Sequence, residues 1–179
     1  FAGSGSDAAD WGVEQLMQEL GQVKPTRARF VERKDIAIVS APLESSGTLL
    51  YTAPDRLEKH TLAPRAESLI LDRDRLTLEN KASNQRRTFA LRDYPEIGAF
   101  VESMRSTLAG DLATLSRYYQ VALDGPRSRW RLTLKPSEPA IQRVVSEIRI
   151  AGSGNVISSI EITETSGDRS VMTITRENP

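Results

Sequence analysis

The chain is expected to be mostly β with some α: a strongly curved antiparallel sheet whose concave face is covered by helices. Three observations predict it. Between Phe30 and Leu78, apolar residues alternate with polar ones between Gly, Pro or Asp turns, the period-two signature of half-buried strands. Only two longer stretches carry the i, i+3, i+4, i+7 spacing of an amphipathic helix. Strand candidates number roughly ten, and a sheet of that size must curl to bury one face. Reactive side chains are sparse along the whole pattern, so the product of the sheet is an apolar surface rather than a catalytic group.

The elements follow in order. Asp10 is placed to cap a helix from Trp11 to about Leu20, with Val13, Leu16, Met17 and Leu20 on one stripe. Gly21 and Pro25 end it. Strands begin at Ala28-Arg29-Phe30-Val31-Glu32-Arg33, and Ile36 to Ser40 reads as a continuation before Pro42. Gly47 to Leu57 and Leu69 to Leu78 each read as strand, tight turn, strand, because Pro54-Asp55 and Asp72-Arg73-Asp74 interrupt the alternation. A meander therefore runs to Leu91. Pro95 opens the second helix, where Ile97, Phe100, Val101, Met104 and Leu108 share a face until Gly110. Asp111 is a cap for a further short turn with Leu112 and Leu115. Strands resume at Tyr119, Val121 and Leu123, turn at Asp124-Gly125-Pro126, and continue through Trp130, Leu132 and Leu134. The last three candidates are Ser146 to Ala151, Val156 to Thr163 and Ser170 to Thr175.

With 179 residues and no linker, repeat or composition break, residues 1–179 are expected to form one domain. Lys and Arg total 24 against 24 Asp and Glu, so no net field recruits nucleic acid or an anionic membrane, and any partner is recognised locally. Cysteine is absent, which removes disulfides, thiolate metal sites and a cysteine nucleophile together. No apolar run is long enough for a membrane span. The chain starts at Phe1, with small residues from Ala2 to Ser6, as expected of a processed or truncated start, removal of an export signal being the reading of the first case.

Each reactive-looking feature has a plainer reading. Gly152-Ser153-Gly154-Asn155 lacks the Lys-Ser or Lys-Thr pair and the helix that a phosphate loop needs, so it reads as a hairpin turn. His60 is the single histidine and has neither metal-ligand partners nor a nucleophile nearby in sequence, so an exposed strand position is expected. Asp72 and Asp74 are turn residues rather than paired carboxylates. Arg127, Arg129 and Arg131 flank Trp130, but alternation sends Arg129 and Arg131 to one face and Trp130 and Leu132 to the other, which separates phosphate contacts from base stacking. No catalytic residue, metal site or cofactor is assigned, and an enzyme is not expected. The two helical stripes leave a different possibility: a strongly curved sheet holds more space than two short helices fill, and flexible thioethers such as Met17 and Met104 suit a surface that adapts to apolar ligands.

The order and spacing of several segments resemble a known family. They are the first amphipathic helix, Ala28-Arg29-Phe30-Val31-Glu32, Gly47-Thr48-Leu49-Leu50-Tyr51 running to Pro54, Pro64 to Glu67, Leu69-Ile70-Leu71-Asp72, Trp130-Arg131-Leu132-Thr133-Leu134-Lys135-Pro136, and Ile157-Ser158-Ser159-Ile160-Glu161. Together they resemble the periplasmic lipoprotein carrier LolA family over most of the chain. The resemblance implies an incomplete, unclosed antiparallel β-barrel lidded by helices, with a concave apolar face that carries acyl chains. It places Leu57 at the cavity mouth and matches the helix from Ile97 to Leu108 loosely to the lid. Three departures accompany it: Ala53 stands where the carriers have an arginine that latches the lid, Lys59 stands where an aromatic is usual, and the chain ends near where the carriers continue into a further loop and strand.

On that resemblance the ligand-binding residues are expected to be Leu16, Met17, Leu20, Phe100, Met104 and Leu108 on the mobile cover. On the sheet they are Phe30, Leu49, Tyr51, Leu57, Leu69, Leu71, Leu132, Ile160 and Ile162. The implied partners are lipoprotein acyl chains or other lipids, an inner-membrane export machine and an outer-membrane acceptor, with no nucleic acid. A periplasmic monomer is expected. The rival expectation is a lipid- or peptide-sensing regulatory binding module on the same half-barrel.

Overall fold

The computed structural model describes residues 11–23, 26–36, 38, 40–52 and 55–177, with the side chains of residues 95–100 and 103 outside that description. Eleven strands form one sheet in the order β6-β5-β4-β3-β2-β1-β11-β10-β9-β8-β7. They are β1 Thr26–Asp35, β2 Leu43–Thr52, β3 Arg56–Ala63, β4 Glu67–Asp72, β5 Arg75–Asn80 and β6 Gln85–Ala90, then β7 Tyr119–Asp124, β8 Trp130–Pro136, β9 Val145–Ser153, β10 Val156–Glu164 and β11 Arg169–Arg176. Neighbouring strands run antiparallel, and β1 joins the two halves of the chain by pairing with β2 on one side and β11 on the other. β6 and β7 are the two edges, so the barrel is not closed. The mostly β, incomplete-barrel expectation is met.

One helix precedes the strands, and others interrupt them at two places. α1, Val13–Gly21, precedes β1; α2, Pro95–Ala109, and α3, Leu112–Tyr118, stand between β6 and β7; α4, Pro139–Gln142, links β8 to β9. α1 buries Leu16, Met17 and Leu20, as the stripe predicts, but starts two residues later than expected, with Gly12 at its N-cap and no side-chain cap. Asp10 lies outside the described residues. α3 is longer than a single turn, and its cap is as expected: Thr114 donates its backbone N–H to Asp111 at 3.1 Å and its hydroxyl at 2.6 Å. Those two bonds hold the Asp111 carboxyl below the usual carboxylate range. The cap therefore contributes fully above the ordinary carboxylate range and is lost as the pH falls through the lowered value in the folded chain. Asp111→Ala is expected to cost about 1 kcal/mol at neutral pH, and less in acid, as read by denaturant melts at both pH values.

The structure departs from the sequence reading at one strand and adds one helix. Ile36 and Ser40 are not in a strand, and Ile38 is 93% exposed. The β1–β2 ladder closes at Lys34 opposite Leu43, so Ile36, Ile38 and Ser40 pair with no strand, whatever their intrinsic β preference; Ala37 and Val39 lie outside the described residues. α4 went unread, because four residues carry no helical period; Pro139 starts it and Ile141 is buried.

Two helices meet where side chains are absent. Gly110 ends α2 with φ 71°, and a Cβ on it would collide with the carbonyl of Met17 and with Gly21 in α1. This is a left-handed position with no room for a side chain.

Among the described residues, apolar burial splits into two clusters. The larger packs Leu16, Met17 and Leu20 of α1 with Leu115, Tyr119, Trp130, Leu132, Leu134, Ile141, Val145, Ile148 and Ile150, on the β7–β9 flank. The smaller joins Leu71, Leu76 and Leu91, with Leu57, Leu69, Phe89 and Val101 against them, on the β3–β6 flank. The central strands lie between these two cores.

Candidate functional site

Residues opposite each other in an antiparallel ladder share a face, so the register fixes what each row of the concave face presents. One row runs Leu76, Leu71, Leu57, Tyr51 and Thr26 across β5 to β1. The next runs Arg87, Leu78, Leu69, Lys59, Leu49, Ala28 and Arg176 from β6 to β11. Nearer the other end of the strands, Glu32 stands opposite Met172, which stands opposite Ile160 and then Ile150. Lys34 stands opposite Ser170, next to Ile162. The first row is apolar but for the Tyr51 and Thr26 hydroxyls, the second sets Arg87, Lys59 and Arg176 among apolar residues, and Glu32 and Lys34 add charge towards the other end.

A cavity of about 540 Å³ lies over the central strands. Its sheet wall includes Ala28, Leu49, Leu57, Leu69, Leu71, Ile160, Ile162, Met172 and Ile174, and its roof includes Val101, Met104, Thr107 and Leu108 of α2. Side chains from β4 and from β10 reach one space, so the sheet curves around it. Ten of the fifteen expected ligand residues line this cavity: Leu20, Leu49, Tyr51, Leu57, Leu69, Leu71, Met104, Leu108, Ile160 and Ile162. Leu16, Met17 and Leu132 do not; they are 0%, 1% and 0% exposed inside the larger cluster. Phe30 is also off the cavity wall, 1% exposed, with the Lys59 ammonium 5.1 Å from its ring centre. The side chain of Phe100 lies outside the described residues.

Sequence reasoning missed two groups. Met172 and Ile174 of β11, with Ile157 of β10, line the cavity; the alternation of residues 170 to 176 carried that signal. The other group is charged. Lys59 pairs with Glu32 at 2.8 Å and Lys34 with Glu164 at 3.5 Å, all four on the cavity wall and partly exposed. Lys59 makes the wall polar there, with its ammonium over the Phe30 ring.

The roof is tied to the sheet by an arginine on the helix. Arg105 of α2 donates to the backbone carbonyls of Arg73 and Asp55, in the turns that end β4 and precede β3, and pairs with Glu102 one turn back. Ala53 and Pro54 lie outside the described residues. The Tyr51 hydroxyl is buried without a hydrogen-bond partner among the described residues. Burial pushes its phenol up, Asp55 adds to the effect and Arg105 opposes it. An unsatisfied buried hydroxyl costs roughly 1–3 kcal/mol. Tyr51→Phe is therefore expected to raise stability by about 1 kcal/mol, visible as a higher denaturation midpoint at an unchanged slope.

His60 is half-buried rather than exposed, correcting the sequence reading: its Nδ1 is 2.8 Å from Ser68 Oγ and its Nε2 is 3.2 Å from Glu58. It lies on the convex face, opposite Thr48 and Ser68, away from the cavity. Among the described residues no group of three His, Cys, Asp or Glu is placed to hold a metal, and no helix is long and apolar enough to cross a membrane. Trp130 is 1% exposed and donates its indole N–H to the Gly154 carbonyl at 2.9 Å, so its ring offers no stacking surface. Arg131 lies on the opposite face and is exposed.

An open antiparallel sheet curved around a largely apolar, helix-roofed cavity is the class of fold that these elements define. The chain belongs to a family of that class: the model of the outer membrane lipoprotein carrier protein LolA-like family matches residues 4–175. No curated protein matches the chain in sequence. Among solved structures, MucB aligns over 98% of this chain and 59% of its own, at 14% identity and a TM-score of 0.52. The Pseudomonas aeruginosa MucA/MucB complex gives 97%, 57%, 14% and 0.51 for the same quantities. The LolA superfamily protein NE2245 from Nitrosomonas europaea aligns over 94% of this chain and 96% of its own, at 9% identity and a TM-score of 0.49. At these identities the MucB likeness is one of fold, and the chain spans little more than half of MucB.

Proposed function

We propose that this chain is a periplasmic carrier, a monomer of one domain, that holds acyl chains of lipoproteins or other lipids in its cavity and shuttles them towards the outer membrane. The observation that carries the reading is the cavity of about 540 Å³ between two packed cores, walled by aliphatic side chains and roofed by α2. The family supports it. A chain of about fourteen methylenes gains on the order of 10 kcal/mol by leaving water, so cargo is not released into water at a useful rate. The carrier accordingly takes its load from an inner-membrane machine that performs work and yields it to an outer-membrane acceptor that buries it at least as well. The Arg105 contacts to the sheet are made to backbone carbonyls, its carboxylate partner Glu102 lying on the same helix, and they are the part of the roof that opens for loading. No step requires a cofactor or a reacting side chain.

Native mass spectrometry of freshly purified protein, followed by lipid extraction, tests this reading. The expected result is a co-purified acyl lipid released on denaturation. Protein that is lipid-free and stays so when incubated with lipid vesicles contradicts it.

The fold likeness to MucB, solved in complex with MucA, favours a second reading: a lipid- or peptide-sensing module that docks a regulator. Affinity capture that recovers one membrane regulator, and neither lipoproteins nor an export machine, supports that alternative.

A further inference from the structure

One donor on the cavity wall has nothing to bond to. Tyr51 belongs to that wall, is 8% exposed, and follows Leu76, Leu71 and Leu57 in their row of the concave face. Its hydroxyl is buried and finds no hydrogen-bond partner among the described residues. A phenylalanine fills the same space without the penalty of an unpaired hydroxyl. Buried polar groups are bonded in nearly all native structures, so an orphan on the wall of a cavity points to a partner that enters the cavity.

We propose that Tyr51 donates its hydroxyl to the carbonyl oxygen of an acyl ester or amide, which holds the cargo's carbonyl at the β2–β3 turn end of the cavity while the chain runs from there along the sheet. The contact rests on the acyl-carrier reading and supplies its polar specificity. Two observations choose the acceptor. Leu49, Leu57, Leu69 and Leu71, which share the wall with Tyr51, are aliphatic, so the oxygen is one joined directly to a hydrocarbon chain. The negative charge of Asp55 acts on the phenol more strongly than Arg105 opposes it, which disfavours a carboxylate there and leaves a neutral carbonyl. Loading also exposes the donor. Arg105 ties the roof to the carbonyls of Asp55 and Arg73, and its charge reaches the phenol; the roof movement that admits cargo brings the carbonyl to the hydroxyl. Tyr51→Phe therefore moves stability and affinity in opposite directions, a trade-off expected of binding residues and not of packing residues.

Tyr94 supplies the control: a phenol at the N-cap of α2, 49% exposed and not on the cavity wall. The experiment measures binding of methyl myristate and of heptadecane, which have equal numbers of heavy atoms, to wild type, Tyr51→Phe and Tyr94→Phe. Displacement of the oxygen-free fluorescent probe diphenylhexatriene reads both ligands. The expected result is a loss of about fivefold for the ester in Tyr51→Phe only, the worth of one ordinary hydrogen bond, with heptadecane within about twofold throughout. In NMR of the bound, isotope-labelled ester, the carbonyl carbon is expected further downfield in wild type than in Tyr51→Phe. Equal changes for the two ligands, an unchanged ester affinity in Tyr51→Phe, as a hydroxyl already bonded to water gives, or an unmoved carbonyl resonance overturns the assignment and leaves the carrier reading intact. Failure of wild type to bind either ligand overturns both.

Discussion

Leu49→Glu is expected to abolish acyl-chain binding, by a hundredfold or more, while the protein still folds. Leu49 is half-buried on the cavity wall and belongs to neither packed cluster. Its register neighbours on the concave face are Ala28 and Lys59. In the unliganded protein, a carboxylate there has water in the trough and the Lys59 ammonium opposite, so the fold tolerates it. A bound acyl chain removes that water, and dehydrating a charge costs several kcal/mol even when it is paired; about 1.4 kcal/mol is a factor of ten in affinity. Titration with a fluorescent fatty acid, beside a thermal melt, checks both halves of the statement. Undiminished binding shows that the chain sits elsewhere.

Leu132→Glu has the opposite signature. Leu132 is 0% exposed in the larger cluster, between Leu123 of β7 and Ile150 of β9. A carboxylate there has neither water nor a cation on the flanking strands' facing positions, and an unpaired buried charge is among the few single changes that cost more than about 4 kcal/mol. The expected result is loss of the cooperative thermal transition, and with it of all ligand binding. A native-like melt contradicts the placement of Leu132 in a sealed core. The pair of variants separates wall from core, which look alike in sequence.

That likeness explains how far the sequence could be read. The period-two alternation and the Asp72-Arg73-Asp74 and Gly152-Ser153-Gly154-Asn155 turns located hairpins that the ladders then pair. Gly110 and Asp111 marked the end of one helix and the cap of the next. The Ile36 to Ser40 segment failed because alternation reports a preference, and a strand also needs a partner within reach. For the site, periodicity identifies which residues point inwards but not whether they meet another side chain or open space. Leu16, Met17 and Leu20 share one stripe of α1, yet only Leu20, at the end nearest Val23, reaches the cavity. That outcome is decided by sheet curvature and by where α2 crosses, neither of which is local. The charged wall was hidden for a related reason: Glu32, Lys34 and Lys59 occupy inward positions where a packed core would exclude them, and the wall of an open cavity accommodates them.

The central claim, that hydrocarbon lies beneath α2 against the middle of the sheet, is tested most directly by isotope-filtered NMR of the labelled protein with unlabelled palmitate. The account predicts contacts from the methylene chain to the methyls of Leu49, Met104, Leu108 and Ile160, all on the cavity wall. Contacts confined to exposed side chains such as Leu62, 65% accessible, or Ile38, 93% accessible, with none to those four, contradict it.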